Sequence, residues 1–222
     1  MVHEQILEIL ENKNVILVGN SIEIMNYEKG EFIDSHDVVI RMGRGAVTRA
    51  RELHIGKKID IWATGFLRAE QGSRQPHLKT VPKLLNRTRI NLRGAKNLDK
   101  SLDFDFHTMF SDEELLALYE EFGYEDNAVL GRPSNGFITL LWLIKKAWVW
   151  KSLTLIGFDF FAKKAPMKVG AAHPNSWHMP RNGVETIPHN VPAEREYALE
   201  MKRNGIIKWE ILSDLKEEIL DV

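Results

Sequence analysis

The chain has 222 residues, with 30 Lys and Arg against 31 Asp and Glu for a net charge of -1, and 44% hydrophobic and 27% charged residues. These proportions are ordinary for a soluble globular protein, and the length suits one substantial domain better than two. Cysteine is absent, which excludes a disulfide, a thiolate metal site and a thiolate nucleophile.

The first elements follow at once from the pattern. Ile6, Leu7 and Leu10 stand at helical spacing among Glu4, Glu8 and Glu11, which predicts a short amphipathic helix over 3–11 and speaks against a signal peptide or membrane anchor. Val15 to Val18 is a β-branched apolar run too short for a helix, hence a buried strand. The glycine turn Gly19-Asn20-Ser21 follows, with a helix expected over 21–27. A second strand covers 38–41 and closes on Arg41, and a third covers 59–63 before Thr64-Gly65. A strand, a polar glycine turn and a second strand ending in charge is how open α/β sheets build ligand sites. Gly19, Asn20, Ser21 and Arg41 are therefore candidate ligand-binding residues.

Residues 66–87, with Gly72, Ser73, Pro76 and Pro82, read as loop, with a strand expected at 88–92. Ser111-Asp112-Glu113-Glu114 is a capping box opening a helix through Phe122, and Gly123 stops it. A helix from Phe137 to Trp148 starts after Pro133-Ser134-Asn135-Gly136, apolar almost all round and so buried. A core strand is expected at 152–158, an irregular stretch at 162–190, a helix from Pro192 to Asn204, a strand at 206–212 and a helix at 213–220. Strands alternating with helices predict a single Rossmann-like three-layer α/β/α domain over 1–222, without internal repeats.

Charge is distributed unevenly. Between Arg41 and Lys96 stand 14 lysines and arginines against Glu52, Asp60 and Glu70, an excess of +11 that leaves the rest of the chain acidic. A polyanionic partner on one face would account for this, and so would charges scattered over several faces and merely solvated. The basic, loop-rich segment at about 66–100, including Arg68 and Arg74, is the candidate acceptor-binding region.

Three blocks in order carry a resemblance. Val18-Gly19-Asn20-Ser21 with Ile33 to Met42 resembles the large motif of the sialyltransferases, inverting transferases that move sialic acid from a CMP donor. Arg132 to Phe137, running on to Leu155-Ile156-Gly157-Phe158-Asp159, is similar to their small motif. His189 followed by Glu194 matches their very small motif of histidine and glutamate with four residues between. The resemblance is to glycosyltransferase family 29, and it implies a sialyltransferase-like variant of the GT-A fold. Animal members join their large and small motifs by a disulfide. This chain has no cysteine for one, which suggests a cytoplasmic protein of a bacterium or of a phage-infected host.

Glycosyl transfer needs a base for the acceptor hydroxyl, donors for the departing phosphate, and a grip on the nucleotide. His189 is the candidate base, since its intrinsic pKa suits proton removal near neutrality, and Glu194 on the following helix would orient its ring. In the family the matching histidine is the base. The family also takes a phosphate-side donor from a histidine upstream, which here is His173, by spacing, or His178, by its aromatic neighbour Trp177. Asn20 and Ser21 match the donor-gripping turn, Ser134 and Gly136 match the small motif, and Gly19, Arg41 and Asn135 in the same blocks complete the expected nucleotide-binding set. Ser134 and the first amides of its helix would hold phosphate or ribose, although Ser and Asn also serve simply as caps. Asn135 stands where the family has threonine, and Gly43 where it has a nucleotide-binding asparagine, so the nucleotide is open between CMP and UDP. Asp103-Phe104-Asp105 has the form of a metal-holding Asp-x-Asp, but a sialyltransferase-like site needs no metal and none is expected. Trp142, Trp148 and Trp150 read as core packing.

The expected activity is that of an inverting, metal-independent glycosyltransferase without a cofactor, taking a CMP- or UDP-sugar. Its acceptor would be a surface glycan such as lipopolysaccharide, or hydroxymethylated bases of phage DNA. The alternative is a non-catalytic nucleotide- or DNA-binding module that keeps the fold.

Overall fold

A computed structural model of the chain describes residues 2–42, 51–64, 81–85, 106–124, 132–160 and 189–210. Seven strands, β1 (Asn14–Val18), β2 (Val38–Met42), β3 (Ile61–Thr64), β4 (Lys83–Leu85), β5 (Phe106–Thr108), β6 (Ser152–Ile156) and β7 (Ile207–Glu210), make one sheet in the order β5-β4-β3-β2-β1-β6-β7. Every neighbouring pair is parallel. Parallel strands are covered on both faces, which is why residues 15–18 of β1 and 38–40 of β2 are continuous apolar runs rather than alternating ones.

Among the described residues the helices are α1 (Val2–Leu10), α2 (Gly30–Asp34), α3 (Glu52–Ile55), α4 (Asp112–Glu121), α5 (Asn135–Lys145) and α6 (Val191–Arg203), with a 3-10 helix at Ile22–Asn26. Alternation along the strands sorts the core into two parts. Val15 and Leu17, Val38, Ile40 and Met42, and Leu153 and Leu155 face a large cluster with Ile6 and Leu10 of α1, Leu115 and Leu118 of α4, most of α5, and Ala198 and Met201 of α6. Ile16, Val18, Val39 and Ile156 face a smaller cluster with Ile24, Ile33 and Ile55 from the short helices. The expected three-layer arrangement is thus present, with unequal layers. Gly136 to Ile144 of α5 are all buried, each large side chain contributing about 1.5–3 kcal/mol by leaving water.

The capping box forms as expected: Ser111 Oγ accepts from Glu114 N at 3.2 Å, and Glu114 Oε2 accepts from Ser111 N at 2.7 Å. Other expectations shift. The helix anticipated at 21–27 is the shorter 3-10 turn, and α2 and α3 are too short to show a period in sequence. Strands β4 and β5 have three residues each, too few to alternate visibly, and β4 lies in a stretch expected to be loop. Helix α5 ends at Lys145, which leaves Trp148 in the following turn, 56% exposed and stacked on buried Trp150 at 5.4 Å. Core packing therefore describes Trp142 and Trp150 but not Trp148. The expected strand at 88–92 and helix at 213–220 lie outside the described residues, as does almost all of the basic segment at 66–100. Among the described residues no helix is long and apolar enough to cross a membrane.

The strand order reverses between β1 and β6, and there the two strand ends touch. Gly19 N donates to Ile156 O at 2.8 Å, and Ser21 N to Gly157 O at 3.0 Å. A Cβ on Gly19 would lie 2.1 Å from Gly157 O, a backbone atom that no side-chain rotation moves. Gly19→Ala should therefore cost about 2–3 kcal/mol, or roughly 5–10 °C in Tm for a chain of this size. An unchanged thermal melt would show that the turns can separate.

Candidate active site

In open parallel sheets, ligands bind outside the carboxyl ends of the strands where the order reverses. Here that place is walled by the turns after β1 and β6, by the end of β2 and by the start of α5. Asn20 Nδ2 donates to Met42 O at 3.3 Å, tying the glycine turn to the end of β2. Ser21 caps the 3-10 helix, accepting from Glu23 N at 3.3 Å, while its hydroxyl proton goes to Asp159 Oδ2 at 3.0 Å. Gly136, in the first turn of α5, leaves room for its neighbours: a Cβ there would stand 2.7 Å from Phe158 Cε1 and 3.3 Å from Met42 Cε. The N-terminus of α5, with its positive dipole, is thereby seated against the ends of β2 and β6.

A buried carboxylate joins α6 to the start of α5. Glu194 is fully buried. Its Oε1 accepts from Ser134 N and from the Tyr124 hydroxyl, both at 2.8 Å, and its Oε2 accepts from Ser134 Oγ at 2.6 Å. Ser134 Oγ in turn accepts from Phe137 N at 3.1 Å as the N-cap of α5. Burial pushes the Glu194 carboxyl up to about 7, against the lowering effect of its donors from Ser134 and Tyr124. Burial, reinforced by this carboxylate, also raises the Tyr124 phenol.

His189 is half-buried just ahead of α6, and its Nδ1 lies 2.9 Å from Arg132 O. A carbonyl only accepts, so Nδ1 carries the proton and the ring lone pair is on Nε2. That is the tautomer a base requires. The expected direct contact between Glu194 and the ring is replaced by an indirect one. Both oxygens of Glu194 are engaged by Ser134 and Tyr124, and the ring is set by Arg132, two residues before Ser134.

Two of the expected nucleotide-binding residues have structural work instead. Arg41 lies on the sheet face away from α5, where its Nε donates to Lys58 O at 2.8 Å, its Nη2 to Ile55 O at 2.6 Å, and Asp34 stands 3.9 Å away. Burial lowers the Arg41 guanidinium to about 10, partly offset by the charges of Asp34 and Asp60. The single hydroxyl proton of Ser134 is committed to Glu194, so this residue caps and clamps rather than holding a ligand through its O–H. Gly19, Asn20, Ser21, Asn135 and Gly136 do sit around the reversal point. His173, His178, Arg68, Arg74, Gly43, Asp103 and Asp105 lie outside the described residues. Two participants went unselected in sequence. Asp159 had a signal, since it stands two residues after Gly157 at a strand end, but Tyr124 had none, because its partner is 70 residues away.

Solved structures share this fold. The chain is similar to a mammalian sialyltransferase, with a TM-score of 0.55 at 14% identity, covering 94% of this chain and 78% of that one. A mammalian sialyltransferase in complex with Gal-beta-1-3GalNAc-ortho-nitrophenol matches with a TM-score of 0.54, again at 14% identity, over 94% of this chain and 77% of the other. The fold is that of the sialyltransferases. Residues 10–81 match the sequence model of glycosyltransferase family 29 (sialyltransferase), a span that holds β1, the glycine turn, β2 and β3. No curated protein matches the chain in sequence.

Within this sialyltransferase fold, Glu194 generates a prediction about pH. Its folded-state pKa of about 7 is above the ordinary 4.5, so the folded chain retains a proton that the unfolded chain has lost. Stability should then fall as pH rises from about 4.5 to 7, by a few kcal/mol at most. Glu194→Gln should flatten that slope in denaturant titrations across this window. Equal slopes in both proteins would mean that the carboxylate is ionised throughout.

Proposed function

We propose that the protein is an inverting, metal-independent glycosyltransferase that moves a sugar from a CMP-sugar to a glycan hydroxyl. The observation that carries this reading is one chain of contacts joining the base to the sheet's reversal point. His189 is bonded to Arg132, Arg132 precedes the Ser134 cap, and Gly136 packs on Phe158 beside Asp159 and Ser21. The family match over 10–81 and the shared fold support the same class.

In this mechanism His189 Nε2 takes the proton of the acceptor hydroxyl as its oxygen bonds to the anomeric carbon. The bond from that carbon to the phosphate oxygen breaks on the opposite face, through an oxocarbenium-like transition state, so configuration inverts. The departing phosphate carries the bonding pair toward the N-terminus of α5, whose amides and dipole stabilise it. His173 or His178 would donate to the same phosphate. A nucleoside monophosphate leaving group is served by such donors, and this supports a reaction without a metal.

The glycan acceptor follows the family match. The DNA acceptor rested on the basic excess between 41 and 96, and Arg41, its first member, is buried against backbone carbonyls.

The test is nucleotide release from CMP- and UDP-sugars with EDTA present, with and without glycan acceptors. CMP release that EDTA leaves intact is expected, and His189→Ala should reduce it by about 10²–10⁴-fold. Release of UDP alone would move the donor to the uridine series. Transfer to hydroxymethylated DNA, weakening steeply with salt, would replace the glycan acceptor. Turnover unaffected by His189→Ala would overturn the mechanism, and binding without turnover would leave a nucleotide-binding module.

A further inference from the structure

We infer that His3 and His107 form an acid-sensitive latch, which holds α1 against the edge of the sheet only while both rings are uncharged.

The two histidines come from distant parts of the chain. His3 stands in the first turn of α1 and His107 in β5, the edge strand, and their rings pack with centroids 4.3 Å apart. Trp142 of α5 backs the pair, at 6.3 Å from the ring of His3 and 5.7 Å from that of His107. Each of these three rings has a buried nitrogen without a hydrogen-bond partner: His3 Nδ1, His107 Nε2 and Trp142 Nε1. A protonated imidazole carries N–H on both nitrogens. Charging either histidine would therefore bury an N–H donor that has no acceptor, next to a second ring in the same position. Uncharged, the pair is an aromatic contact between helix and strand.

The charged groups around the pair act in the same direction. Burial, with the positive charges of His3 and Lys146, lowers the His107 imidazole to about 4. Lys146 lies just past α5, and the carboxylate of Glu114 on α4 is engaged with it at 2.8 Å. Leu84, opposite His107 on β4, is buried and apolar. Glu4, exposed on α1, acts on His3 rather than on His107.

The element free to yield is α1. It has nine residues, too few to persist as a helix without packing, and lifting it from β5 lets both rings reach water. A solvated histidine takes its proton near the ordinary value of 6.5, above the value of His107 in the closed state. The closed state is thus fully favoured above 6.5 and loses ground as pH falls toward 4. This slope is opposite in sign to that of Glu194, so the two groups are separable.

Hydrogen exchange of the full chain, corrected for the intrinsic pH dependence of amide exchange, tests the latch. Lowering the pH from about 7 to 5 should reduce the protection of the α1 amides about tenfold relative to those of β1. His107→Phe keeps a ring in the cluster but cannot be charged, and it should abolish that relative loss. His107→Gln, uncharged and polar, should do the same and serves if the phenylalanine variant misfolds. Protection of α1 that follows β1 throughout in the wild type would overturn the latch. So would a relative loss of undiminished size in either uncharged variant.

Discussion

The rest of this structure depends on a backbone contact without side chains. Where β1 and β6 leave the sheet, Gly19 and Gly157 approach so closely that even a methyl group on Gly19 would overlap a carbonyl. Two hydrogen bonds, from Gly19 N and Ser21 N, close the contact. It brings the turn that carries Asn20 and Ser21 against the turn that carries Phe158 and Asp159. Animal sialyltransferases join their large and small motifs by a disulfide. In this cysteine-free chain these two turns are held by paired strands, glycine packing and the Ser21–Asp159 hydrogen bond.

Glu194 performs the second act of assembly. A fully buried carboxylate is costly unless donors surround it, and three are supplied from two other elements. One residue of α6 thereby fixes the N-cap of α5, the segment leading into α5, and through Arg132 the tautomer of His189. The His189 ring is positioned by a carboxylate that never touches it. The arrangement also explains why Ser134, which looks like a ligand-binding serine in sequence, is buried and occupied.

Alternation along β2 separates residues beside α5 and the reversal point from those on the opposite face. Val38, Ile40 and Met42 face α5 and the larger core, and Met42 ends beside Gly136 and Asn20. Arg41, one residue away, points to the opposite face and locks α2 to α3 through backbone carbonyls and Asp34. A period of two makes neighbours in sequence opposites in space. Charge at a strand end was a sound reason to select Arg41, but which face it takes depends on the register of the sheet.

The amino-acid sequence by itself determined the layer pattern. The mainly apolar stretches at 15–18, 38–41 and 152–158 read as covered strands, and Ser111 to Glu114 as the start of a helix, because period and capping are local properties of the chain. It also brought out the motif residues His189, Asn20 and Gly136, whose neighbours in the chain identify them. The tertiary structure alone decided what those residues do. That Glu194 binds Ser134 and Tyr124 rather than His189, that Asp159 meets Ser21 across 138 positions, and that Arg41 is scaffold are consequences of strand order and face. These are long-range pairings, and no local pattern encodes them, since each partner's immediate surroundings are compatible with many others.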